Sequence, residues 1–342
     1  MSNLLPTSVS QQLADRARWR PLEFVFWLAA LASVFLLPDR HLILTEIAIL
    51  ALFALSLDLI LGYAGVISLG HAAYFGFGAY VAGLLAKYWI AEPVVGLIVG
   101  GLAAIVLGFV TSFLVLRGSD LTRIMVTLGV SLILREIANQ AAWLTGGADG
   151  LQGITMGPIL GLFEFDIAGH VSYAYSLIIL FILFLFARRV VQSPFGLSLL
   201  SLKGNPLRSS AIGINVNWRL IAIYSVAAGF AGVAGALLAQ TQSFASLDLF
   251  SFDRSADILL VLIIGGTGYL YGGMIGAIIF KLMQDWLANL TPQYWEFWIG
   301  LVLVLIVLIG RERMFALTAP IRNWIDRSGT RLWPRTGVPA GE

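Results

Sequence analysis

The chain has 342 residues, of which 59% are apolar and only 12% charged. That charged share is about half of what an ordinary soluble domain carries, so a soluble globular protein is excluded. With no Cys there is no disulfide framework, no thiolate metal site and no cysteine nucleophile. The net charge of +2, from 21 basic and 19 acidic residues, points to no acidic partner, and the placement of the charges matters more than their sum.

A bilayer core needs roughly 20 mostly apolar residues per spanning helix. In chain order, candidate spans cover 22–37, 42–61, 71–86, 93–116, 121–140, 171–187, 220–240 and 295–310. Between the last two, 256–265 and 271–287 are both apolar, but Gly265, Gly266, Gly268, Gly272 and Gly273 separate them. This stretch is either two spans or a re-entrant hairpin. The expected fold class is therefore all-α, a polytopic membrane protein of about eight to ten transmembrane helices. Residues 22–310 form the membrane domain, flanked by a segment 1–21 and a basic tail 311–342.

Short cytoplasmic loops retain Lys and Arg. With the N-terminus inside, sixteen of the 21 basic residues fall on or near the cytoplasmic side, among them Arg16, Arg18, Arg20, Arg117, Arg188, Arg189, Arg208 and Arg219. Arg40, Lys87, Arg135, Arg254 and Lys281 fall on the outer side. Both termini are then expected in the cytoplasm of an inner-membrane protein. The charged start and apolar run also have the pattern of a signal peptide, but Leu37-Pro38-Asp39-Arg40 is a poor cleavage context and the run is long, so it reads as the first span.

Two segments are long enough to do more than connect. The outer one, 141–170, has no Lys or Arg and contains Gly146, Gly147, Gly150 and Gly153; it is a docking surface, a vestibule wall or a plain loop. The cytoplasmic one, 188–219, is more informative. Asn205-Pro206 suits a helix start and Gly213 its stop, predicting two turns from Pro206 to Ile212. Leu207, Ala211 and Ile212 form an apolar stripe, with Arg208 and Ser209 facing elsewhere. A short amphipathic helix between two spans can seat in the groove of a cytoplasmic partner or lie on the lipid surface. The tail from Arg311 interleaves six Arg with Trp324 and Trp333, which a membrane-surface tether explains without nucleic acid.

Enzymatic signatures are missing. There is no Gly-Lys dipeptide, hence no phosphate loop of the G-x-x-x-x-G-K-[ST] type. His41, His71 and His170 lie far apart and form no short-spaced metal pair, so no metal site is expected. Acidic residues inside spans are functional candidates by default. Lys281 and Asp285 form an i, i+4 pair, Arg135 and Glu136 lie near a span end, and Asp257 can cap its own helix. Glu46 and Asp58, on the second span, are harder to dismiss.

A glycine pattern recurs. Gly62, Gly65 and Gly70 map onto Gly265, Gly268 and Gly273 with a constant offset of 203. Transporters built from repeats place their pathway at Gly-interrupted helices in matching positions, which marks Gly62, Gly65, Ser68, Gly70, His71, Gly265, Gly266, Gly268, Gly272 and Gly273 as candidate path residues. Close packing through small residues is the other reading, and also fits Gly96 with Gly100 and Gly229 with Gly232 and Gly235.

The run Gly62-Tyr63-Ala64-Gly65-Val66-Ile67-Ser68-Leu69-Gly70-His71, with Asn205-Pro206-Leu207-Arg208, the block Ala228 to Leu237, and Gly265-Gly266-Thr267-Gly268 through Gly272-Gly273, resembles the LivM-type permease subunit of branched-chain amino acid ABC importers. The resemblance implies a LivH-type permease partner, two cytoplasmic ATPase subunits that bind ATP and Mg, and a periplasmic substrate-binding protein. It implies no cofactor in this chain and no enzymatic activity of its own. It makes Lys203, Gly204, Asn205, Pro206, Leu207, Arg208, Ser209, Ala211, Ile212 and Gly213 the coupling segment to the ATPases. Many members have an acidic residue where this chain has Pro206, which removes a charge contact there and leaves the coupling role. Substrates in the family also include urea, short amides and aromatic acids. Rival readings are a proton-driven carrier using Glu46 or Asp58, and a membrane scaffold.

Overall fold

The helices follow the apolar runs closely. The computed structural model describes residues 21–166 and 168–309; the basic N-terminal segment and C-terminal tail lie outside them. Among the described residues there are thirteen α-helices and no β-strand. They are α1 (Pro21–Leu36), α2 (His41–Asp58), α3 (Ala72–Tyr88), α4 (Pro93–Val115), α5 (Asp120–Gln140), α6 (Ala142–Thr145), α7 (His170–Val191), α8 (Pro194–Gly204), α9 (Pro206–Ala211), α10 (Val216–Gln242), α11 (Phe252–Gly265), α12 (Leu270–Leu290) and α13 (Trp295–Ile309). The described residues through Leu282 form one compact unit, and those from Met283 form another that contains α13.

Four segments are each long and apolar enough to cross a membrane: α2 with its flanking turns, α4, α7 and α10. The pair α11 and α12 passes together, bent by 110° at the glycine cluster. The larger number expected from the sequence needs four more: the 16-residue α1, the 17-residue α3, the charged α5 and the 15-residue α13.

Helices α2 and α10 are mainly apolar and buried over most of their length, so they occupy the centre of the first unit. Around α10 the seam is built from small residues, because lipid supplies no hydrophobic drive and helices there adhere by close van der Waals approach. A Cβ at Gly78 of α3 would lie 2.2 Å from the Gly232 carbonyl oxygen of α10, and one at Gly100 of α4 would lie 2.9 Å from the Gly78 oxygen. The Gly96/Gly100 and Gly229/Gly232/Gly235 rows are thus packing surfaces.

Several buried polar groups pair across the helices, which offsets the cost of burying them away from water. The Tyr74 hydroxyl donates to that of Tyr224 at 2.9 Å and lies 2.7 Å from Thr111 Oγ1. Gln240 Nε2 donates to the Pro93 carbonyl at 2.7 Å, and Ser131 Oγ to the Phe250 carbonyl at 2.6 Å. The loop after α5 folds back on its neighbours: Leu151 and Ala245 form an antiparallel bridge, and Gly157 N donates to the Ala91 carbonyl at 2.8 Å. At its end Asp166 accepts the N–H groups of His170 and Val171 at the start of α7. Partial burial pushes the Asp166 carboxyl up, but those hydrogen bonds outweigh it and hold the group below its ordinary value.

Candidate functional site

The two glycine clusters face each other. Helix α2 ends not as an α-helix but in a π turn, Leu59–Tyr63, and the chain then runs without regular structure back to His71 before α3 starts. His71 Nε2 lies 2.9 Å from Ser56 Oγ, so α3 begins beside a point on α2 about two turns before the π turn closes. The loop therefore re-enters the span. Its last segment is anchored by Ser255 of α11, whose hydroxyl accepts the Ala72 N–H at 3.0 Å and satisfies an open donor at the start of α3.

The second break is shorter. Helix α11 stops at Gly265, and α12 resumes at Leu270. At the shared offset of 203 the two breaks agree in conformation: Gly65 has φ +74° and Gly268 has φ +81°, the left-handed region that side chains disfavour. The third pair, Gly70 and Gly273, lies in the loop in one case and inside α12 in the other, so the repeat covers the turns and not the helices that follow. Gly70 sits against the Thr127 carbonyl of α5, and Gly273 against Ala54 and Leu55 of α2. Gly265 and Gly272 touch backbone to backbone across the bend, with Gly266 at φ +108° between them. Ser68 is buried in the first loop.

Asp58 joins the breaks. It is fully buried, and its Oδ1 accepts the Gly268 N–H at 2.7 Å. A Cβ on Gly62 would lie 2.1 Å from that oxygen and 2.5 Å from Gly268 N, so the close approach requires glycine there. On the other side of the same peptide, Lys203 Nζ donates to the Gly62 carbonyl at 2.7 Å. Glu46 has a different setting: its carboxylate lies 2.5 Å from Lys281 Nζ of α12 and is part-exposed. The structure thus gives Lys281 a partner on another span, in addition to the i, i+4 neighbour Asp285 that the sequence suggested. It also corrects Asp257, which lies in the second turn of α11; the cap is Ser251, whose hydroxyl accepts the Arg254 N–H at 3.3 Å.

The segment expected to couple to a partner is helical and well capped. Ser193 opens α8, and Lys203 with Gly204 closes it. Asn205 Oδ1 accepts the Arg208 N–H at 2.9 Å, Pro206 is the first residue of α9, and Gly213 ends the turn at φ +87°. Ser209 faces inward, 2.8 Å from Ser201 Oγ. Leu207 is 82% and Ile212 69% exposed, with Arg208 and Ala211 also outward. Lys203 alone of this group turns its head away, towards the break. His41 and His170, far apart in sequence, come together in space with their ring centroids 4.2 Å apart, while His71 sits elsewhere, beside Ser56.

Residues 41–307 match the family described as branched-chain amino acid transport system / permease component. The chain belongs to this family. It is 26% identical over 304 residues to the high-affinity branched-chain amino acid transport system permease protein LivM of Escherichia coli K12, which covers 81% of this chain and 70% of that protein. The LivM of Salmonella typhimurium LT2 matches with the same identity and coverage. The galactose/methyl galactoside import permease protein MglC of Haemophilus influenzae is 30% identical over 125 residues, 34% of this chain and 37% of that one. No solved structure matches the chain significantly. The family match spans both glycine breaks and the α8–α9 element. The roles of Ser255 and of the Lys203 head escape a reading of the sequence, because each acts on a residue more than a hundred positions away.

Proposed function

We propose that this chain is the LivM-type transmembrane subunit of an ABC importer for branched-chain or related amino acids. Substrate crosses by alternating access, and ATP with Mg is bound and hydrolysed in two partner ATPases, not in this chain. A LivH-type permease completes the membrane unit and a periplasmic binding protein delivers substrate, with both termini of this chain in the cytoplasm.

The observation that supports this most is α9. A two-turn helix is too short to be stable by itself, yet here it is capped at Asn205, backed by Ser209 and left with Leu207 and Ile212 in the open. Exposed large apolar side chains on a fixed helix between two spans match what a cytoplasmic groove would take. The proton-driven alternative has less support, because Glu46 is engaged with Lys281 and Asp58 with Gly268. The path is assigned to the glycine breaks, since irregular backbone at membrane depth occurs where protein or a watery cavity surrounds it.

Affinity purification of the chain from its native membrane in mild detergent tests this reading. The expected result is recovery of a second permease and of ATPases carrying a phosphate loop. Repeated recovery of the chain by itself in a transport-active form would overturn it.

A further inference from the structure

The coupling element and the broken spans meet at one peptide. Lys203 lies at the exposed end of α8, and its stem passes the Cα of Gly65, where an added Cβ would lie 3.0 Å from Lys203 Cγ. The ammonium then reaches the Gly62 carbonyl. That carbonyl belongs to the last turn of a helix, where the backbone oxygens have no helical partner and carry the negative end of the helix dipole. A cation is the natural partner for such an oxygen. The same glycine backs onto Gly268 N, which Asp58 holds from the other side. Lys203, Gly62, Gly268 and Asp58 thus form one continuous connection from α8 through the first break to the second.

The turn that Lys203 holds is a π turn, Leu59–Tyr63. A π turn carries one residue more than an α turn and is a local, functionally recurrent departure from the regular ladder. Packed elements change by switching between discrete arrangements and not by continuous bending. Loss of the Lys203 bond would free the Gly62 oxygen and let residues 59–63 repack, moving the Gly268 contact with them.

We infer that Lys203 is a positioning residue that transmits movement of α8 and α9 to the paired glycine breaks, with Asp58 tying the second break to the first. This rests on the reading of α8–α9 as the coupling element given above. The side chain of Lys203 takes no part in the docking surface, which Leu207 and Ile212 form. Its exposure suits a bond that has to open and close, because water can replace either partner.

The test uses the complex purified with its partner subunits and reconstituted in vesicles. Lys203→Met keeps the stem and removes the donor; Lys203→Arg restores a cationic donor. The readout is substrate taken up per ATP hydrolysed, alongside the amount of ATPase that copurifies. The expected result is that Lys203→Met assembles normally but loses at least tenfold in uptake per ATP, and that Lys203→Arg recovers most of the loss. Because the chain has no Cys, an Ile67→Cys reporter in the first break gives a second reading: its thiol labelling should differ between nucleotide-free and nucleotide-trapped states in the otherwise unaltered complex, and not with Lys203→Met. The inference is overturned if Lys203→Met keeps its uptake per ATP, or if both variants lose uptake only in proportion to lost assembly. If the unaltered complex shows no ATP-driven uptake, the failure belongs to the proposed function and not to Lys203.

Discussion

Gly235→Ala is expected to destabilise the protein by about 3 kcal/mol, the cost of forcing one extra carbon into a closed seam. A Cβ at this position would lie 1.8 Å from the Phe75 carbonyl oxygen and 3.1 Å from Ala79 N. Both are backbone atoms of α3, so no side chain can move aside, and α3 must separate from α10. The same seam continues through Gly78 and Gly232, so the separation would open several contacts together. Gly129→Ala is the control. Nothing lies within 4 Å of the added carbon there, and Gly129 is inside α5. Alanine in a helix interior is favoured over glycine by about 1 kcal/mol. The thermal midpoint of the purified protein in one detergent should therefore fall clearly for Gly235→Ala and stay level or rise for Gly129→Ala. Equal midpoints for the two variants would contradict the packing described.

Leu207→Asp combined with Ile212→Asp is expected to cut substrate-stimulated ATPase activity of the assembled transporter at least tenfold. That corresponds to a coupling loss of about 1.4 kcal/mol or more. Both side chains project from the fold, so a carboxylate in either place remains solvated and leaves the chain folded. In a partner's apolar groove the same carboxylates would lose their water without compensation. A companion change at Asn205→Ala removes the α9 cap, and its effect should be smaller, because Ser209 still fastens the helix to Ser201. Undiminished stimulation in the double variant, with normal assembly, would remove α9 from the coupling path.

Much of this was legible from local signals. Asn205-Pro206 and Gly213 bracket α9 to within one residue because capping is a short-range property. The constant spacing of Gly62 and Gly65 with Gly265 and Gly268 anticipates the paired left-handed turns, since only glycine adopts that conformation freely. Helix α8 has an equally local start signal, since Ser193-Pro194 is the same kind of start as Asn205-Pro206, but the weak apolar periodicity behind it hides the helix.

What was not legible depends on distant partners. Glu46 and Asp58 look alike in the sequence, yet Glu46 meets a lysine on α12 and Asp58 meets a backbone amide in the second break. Lys203 reads as a surface charge of a cytoplasmic loop; its contact with Gly62 exists because α8 packs beside the end of α2. The start of α11 at Phe252 was placed late because Asp253, Arg254 and Asp257 interrupt the apolar run, although Ser251 is an ordinary cap. In each case the determining interaction joins positions that no local period connects.

The most direct test of the central claim is uptake into vesicles that hold the chain with its copurifying subunits, with ATP supplied on the ATPase side and the binding protein with a labelled branched-chain amino acid on the other. The account predicts accumulation that requires ATP and the binding protein and is insensitive to collapse of the proton gradient. Accumulation by this chain alone, without ATP and abolished by a proton ionophore, would contradict it.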